Sequence, residues 1–133
     1  MWPFRRRRRA EPTGTLRIGE PSADRADYAV YTVSEGRFPD TYAALWATAT
    51  EAELDEGLLR RWARLVPVRD PKYGVADLAV ELDGMRACYL RPPHLGRMAT
   101  RIEEENVEAL EVPALVERGP AGATVTLRIA DGG

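Results

Sequence analysis

The chain has 133 residues, of which 44% are hydrophobic, and this is enough for one compact domain with its own core. A single cysteine, Cys88, excludes an intramolecular disulfide and a multi-thiolate metal site, and a single histidine, His94, excludes a multi-histidine site. No apolar run approaches the roughly 20 residues of a membrane span, and no apolar signal-peptide region follows the basic N-terminal run. We therefore expect a cytoplasmic protein.

The N-terminus carries five consecutive arginines at residues 5–9. Like charges in such a run repel one another, so residues 1–14 are predicted to form a disordered basic tail and linker, and residues 15–130 a single domain. The tail admits three interpretations: a solvated segment without a dedicated role, a contact for nucleic-acid phosphates, or a membrane-surface contact that uses Trp2 and Phe4.

Two short strands are predicted first, at residues 15–18 and 28–33. Pro39 and Asp40 then indicate the start of a helix, with Asp40 as its N-cap. The helical run covers residues 41–52, and its periodic apolar residues are predicted to be core: Tyr42, Leu45, Trp46 and Ala49.

A central hairpin is the clearest local signal. Gly57 indicates a boundary, after which a strand is predicted to enter at about Trp62 and to be closed by Pro67. Apolar residues alternate at positions 78, 80 and 82, and Asp83-Gly84 then supplies a tight turn into residues 85–90.

A second helix is predicted from His94 to Asn106, with Leu95, Met98 and Ile102 on its buried face. Two closing strands follow at residues 109–117 and 123–129, joined by residues 119–122. The predicted fold class is α+β and β-rich: a small, partly open barrel with two helices.

Catalytic signals are weak. The sequence lacks a phosphate-binding glycine loop and a dinucleotide fingerprint, and the consecutive glutamates 103–105 point in different directions on a helix. Cys88 lies in mid-strand, where a buried, inert thiol is the simplest interpretation. We expect neither an enzyme nor a cofactor.

Charge is distributed unevenly along the chain. Nine basic and four acidic side chains lie between residues 60 and 101, which gives this basic island a net charge of +5. Because the tail contributes another +5 to a total of −2, the remainder carries −12. Such asymmetry can steer a polyanion to one face, although an ordinary mixed-charge surface would also account for it.

The loop and hairpin resemble a HIRAN domain, whose members have a Pro- and Tyr-bearing loop, a strand, a turn, and a second strand that leads into a helix. The resemblance covers about half of the chain. The matching residues here are Pro67, Asp70, Pro71, Tyr73, Ala79, Val80, Asp83, Gly84, Tyr89 and Leu90.

The resemblance implies an OB- or SH3-like barrel that binds DNA, including single-stranded 3′ ends. It implies that Tyr73 contacts a base or sugar and that Tyr89 lies near the strand end. Gly74 stands where the family has the Asp that would meet a terminal hydroxyl, and Cys88 replaces a family Gly.

The residues themselves support a related hypothesis, because an aromatic ring among cations can stack a base while arginines contact phosphates. We predict a non-enzymatic module for single-stranded or frayed nucleic acid. The candidate binding residues are Arg69, Lys72, Tyr73, Arg86, Tyr89 and Arg91. The alternatives are that both tyrosines only pack on the barrel, that the domain binds a protein partner, or that the tail tethers it to a membrane.

Overall fold

The computed structural model of the chain describes residues 10–28, 31–34, 38–92, 94–119 and 122–129. Within them, seven strands form one mixed sheet: β1 (Thr15–Arg17), β2 (Tyr31–Ser34), β3 (Leu58–Asp70), β4 (Gly74–Leu82), β5 (Met85–Tyr89), β6 (Ala109–Gly119) and β7 (Gly122–Leu127). Three α-helices accompany them: α1 (Pro39–Ala47), α2 (Glu51–Glu56) and α3 (His94–Glu105). The predicted α+β, strand-rich class is confirmed.

The sheet is not closed. Its strand order is β2-β7-β6-β3-β4-β5, with β1 paired in parallel to the beginning of β6. All the other pairs are antiparallel. The long central strands β3 and β6 therefore position the remaining elements.

One face of the sheet is covered by helices. Alternate residues of β3, β4, β6 and β7 enter a common core with side chains from α1 and α3. Leu45, Leu65, Leu78 and Ile102 in this core are fully buried. We call this the helix face. The opposite face, here called the open face, has a smaller apolar cluster of Tyr28, Leu58 and Leu115.

The hairpin prediction is confirmed. Asp83 and Gly84 connect β4 to β5 with φ values of 51° and 79°, the two left-handed residues that a type I′ turn requires. Helix α1 covers the outer edge of β5. The Thr41 hydroxyl donates to the Arg86 carbonyl at 2.6 Å, and the Tyr42 hydroxyl donates to the Ala87 carbonyl at 3.0 Å.

The helix predicted over residues 41–52 is in fact two helices, so the count of two helices is wrong. Thr50 caps α2 in a capping box with Glu53, whose backbone N–H donates to the Thr50 hydroxyl at 3.2 Å. The proposed N-cap is also wrong. Phe38 precedes the helix, and Asp40 lies inside the first turn after Pro39.

The strand β3 is longer than predicted at both ends. It begins at Leu58, directly after the left-handed Gly57, because pairing with β6 starts there. Pro67 does not close it. The Leu78 carbonyl accepts a hydrogen bond from the Leu90 N–H, so the backbone polar groups of Leu78 face β5 and not β3. The backbone groups of its partner Pro67 therefore face the opposite side of β3, where pairing with β6 has already ended at Leu65. Proline, which has no N–H, leaves no ladder hydrogen bond unmade there.

The other boundaries are close to those predicted. The first strand lies at Thr15–Arg17, and α3 extends from His94 to Glu105 with Met98 and Ile102 buried. Tyr28, however, ends a short 3₁₀ helix instead of beginning a strand. The arginine tail, Trp2, Phe4 and the middle of the last turn lie outside the described residues.

Candidate functional site

The hairpin of β3 and β4 extends beyond the rest of the sheet. Pairing between β3 and β6 ends at Leu65, and pairing between β4 and β5 begins at Ala79. Val66 and Pro67 still pair with Ala79 and Leu78, which adjoin β5, so only residues 68–70 and 74–77 are paired in the sheet solely with each other. We call this two-stranded ribbon and its turn, residues 68–77, the arm.

The tip of the arm is ordered by its own side chains. One carboxylate oxygen of Asp70 accepts from the backbone N–H groups of Lys72, at 2.7 Å, and Tyr73, at 3.0 Å. Gly74 follows with φ of 80°, a conformation that favours glycine. Gly74, one of the residues that depart from the HIRAN pattern, thus closes this turn.

Tyr73 is the most exposed large hydrophobic residue in the described part of the chain, with 75% of its surface accessible. The Lys72 ammonium lies 5.3 Å from the centroid of its ring, within the range of a cation–π contact. An exposed ring and an adjacent cation can together contact a planar, negatively charged partner.

Arg69 lies on the helix face of the arm. Its Nη1 donates to Oε1 of Glu103 on α3 at 2.8 Å, and both side chains are about half exposed. Its strand partner Val75 packs against the main core. The ion pair and this apolar contact hold the base of the arm against α3.

The remaining predicted residues form a separate group. Arg86 and Tyr89 lie on β5, where the Arg86 guanidinium donates to the Tyr89 hydroxyl at 3.2 Å and lies 5.6 Å from the ring centroid. The Tyr89 ring also contacts Phe38, at 6.0 Å between centroids. Arg91 is exposed just after the strand. Since Tyr89 pairs with Ala79, five residues of β4, or about 16 Å, separate this group from the arm tip.

The thiol of Cys88 is buried, as predicted. Burial raises its pKa to about 12, and the positive charge of Arg91 opposes this only in part. His94 begins α3, and its Nδ1 lies 2.9 Å from an Arg97 nitrogen. Across the described residues, no three His, Cys, Asp or Glu side chains are grouped closely enough to hold a metal ion.

The open face carries a feature that the sequence reasoning missed. A row of alternating charges crosses five neighbouring strands in register: Arg17, Glu111, Arg64, Glu81 and Arg86. The first two are joined by a 2.9 Å hydrogen bond, and the Arg17 guanidinium lies 4.2 Å from the Trp62 ring centroid. The alternation of Arg60, Trp62 and Arg64 could have revealed this face, had the strand been placed from Leu58.

Carboxylates neutralise much of the basic island. Arg61 pairs with Glu53 at 2.8 Å, and Arg101 pairs with Glu105 at 3.4 Å. The hydrogen bond that Glu53 accepts from Arg61 lowers the pKa of Glu53 from 4.5 to about 2. The net charge of +5 counted along the sequence therefore overstates the local positive charge, because several of its arginines pair with carboxylates.

Comparison of the chain with protein-family models, with curated proteins and with solved structures finds no match in any of the three. No helix among the described residues is long and apolar enough to cross a membrane.

Proposed function

We propose that this protein is a nucleic-acid-binding module that contacts single-stranded or frayed nucleic acid through the tip of the arm. The observation that carries the proposal is the Tyr73 ring, 75% exposed, with the Lys72 ammonium beside it. Base stacking on an exposed aromatic ring contributes about 1–3 kcal/mol per base and tolerates any sequence.

The position of the Tyr73 ring is compatible with a nucleic-acid single strand that runs along the arm. A single strand that stacks on Tyr73 and continues along β4 reaches Arg86 and Arg91 after about 16 Å, where phosphates meet guanidinium groups.

The test is fluorescence anisotropy of labelled single-stranded DNA at low salt with the full chain. Tyr73→Ala is expected to weaken binding by about 1–3 kcal/mol, while Lys72→Gln lowers the salt dependence by about one phosphate contact. Leu54→Ala is the matched control, because Leu54 is the other exposed large hydrophobic residue among those described and lies on α2.

A chain with the five tail arginines replaced by glutamine separates the two basic regions. If it binds no DNA while Tyr73→Ala binds normally, the tail alone is responsible and the arm proposal is wrong. Absence of binding by the unaltered chain at low salt rejects nucleic-acid binding altogether.

A second candidate function is protein interaction. It is favoured by the ion pair between Arg69 and Glu103 and by the pairing of Arg61, because both remove charge from a surface that would attract phosphates. This function predicts that the folded Tyr73→Ala variant loses a protein partner and that the unaltered chain has no measurable affinity for single-stranded DNA.

A further inference from the structure

A cavity of about 490 Å³ opens on the open face of the sheet, away from the tip of the arm. Its walls combine Trp62 with three arginines and three carboxylates, among them Arg60, Arg64, Glu81 and Glu111. This volume lies within the range of ordinary small-molecule sites. The lining charges balance, so the cavity suits neither a polyanion nor a simple cation.

Arg64 is the central group of this cavity. It lies directly opposite Glu111 on one neighbouring strand and Glu81 on the other, and directly opposed residues have Cβ atoms about 4.5–5.5 Å apart. Its Nε is buried and has no hydrogen-bond acceptor, and its ion pair with Glu108 is 3.9 Å long. A buried donor of this kind calls for an acceptor.

The Arg60 guanidinium can also donate to a ligand, since its contact with Glu56, at 3.6 Å, is longer than a hydrogen bond. Arg61, by contrast, is held by Glu53 at 2.8 Å. Trp62 lies between Arg60 and Arg64 on the strand. Arg17 stacks on the indole but does not line the cavity, whereas Trp62 does.

We propose that this cavity binds a zwitterionic α-amino acid with an aromatic side chain. Its carboxylate would accept from Arg64 or Arg60, its ammonium would donate to Glu81 or Glu111, and its ring would pack on Trp62. An α-amino acid carries both charges on substituents of one carbon, and in this cavity an arginine lies in register between two carboxylates. None of the residues that line this cavity is among those proposed to contact nucleic acid.

The experiment is a heteronuclear NMR titration of the full-length protein with L-phenylalanine. Two half-ligands accompany it: phenethylamine, which lacks the carboxylate, and 3-phenylpropionate, which lacks the ammonium. Saturable shifts are expected at the amides of residues 60–64 and 81–84, with each half-ligand at least about tenfold weaker. These comparisons use the unaltered chain, so they do not depend on whether a variant folds.

Variants then assign the groups. Arg64→Gln and Glu81→Gln are each expected to weaken phenylalanine binding at least about fivefold. Arg101→Gln and Glu104→Gln on α3 are the matched controls and should leave it unchanged, as should Tyr73→Ala. Equal binding of either half-ligand, equal shifts with acetate or inorganic phosphate, or no saturation at millimolar phenylalanine would each overturn the proposal.

Discussion

The turn between β4 and β5 gives a sharp test of the fold, because one substitution should have opposite effects at two glycines. Gly84 has φ of 79°, while Gly96 lies in the helix α3, and neither has a neighbour within 4 Å of the place a Cβ would occupy. Alanine therefore changes only conformational preference at both sites. In the left-handed region alanine costs roughly 1–2 kcal/mol.

In the unfolded chain, replacing glycine by alanine removes conformational freedom and stabilises a compatible site by about 0.4–1 kcal/mol. This contribution is the same for both variants and cancels between them. Gly96→Ala should therefore be more stable than the unaltered chain, Gly84→Ala less stable, and their free energies of unfolding should differ by about 1–2 kcal/mol.

Urea denaturation followed by circular dichroism measures this difference. With a slope of about 2 kcal/mol/M, the two midpoints should be separated by about 0.5–1 M. Equal slopes would show that the substitutions leave the extent of unfolding unchanged. If Gly84→Ala matches or exceeds Gly96→Ala in stability, the turn does not have its left-handed geometry and the register of the hairpin is wrong.

Other predictions concern side chains. The Arg61 hydrogen bond lowers the pKa of Glu53 to about 2. The stability that this ion pair contributes, about 1 kcal/mol or less at this partly exposed site, is therefore present above pH 4.5 and lost as the pH falls toward 2. The Arg61→Gln variant should lose less of its free energy of unfolding than the unaltered chain over this pH range. Cys88, with its pKa raised to about 12, should react with thiol reagents only after unfolding, and reaction of the folded chain at pH 8 would contradict its burial. Tyr42→Phe should cost about 1 kcal/mol in urea denaturation, because the Ala87 carbonyl loses its donor, and an unchanged midpoint would show that this bond contributes nothing.

Local chemistry decided which elements could be predicted. The turn at Asp83 and Gly84 was predictable because both positions need positive φ, and α3 was predictable because its apolar residues recur with a clear helical period. The break between α1 and α2 was missed, although Thr50 and Glu53 form a capping box that the sequence displays. The extent of β3 depends on its partner β6, which lies some fifty residues later in the chain, and a local pattern does not show this pairing.

The candidate site was harder to predict, because counting charges along the sequence mixes two faces of one sheet. Arg69 shares its parity on β3 with Leu65 and so lies on the helix face, where Glu103 pairs with it. Arg64 has the opposite parity and lies on the open face between two carboxylates. One basic island in the sequence thus becomes two separate surfaces. If the protein binds nucleic acid, substitutions at Arg64 should therefore leave the affinity unchanged while substitutions at the tip of the arm reduce it.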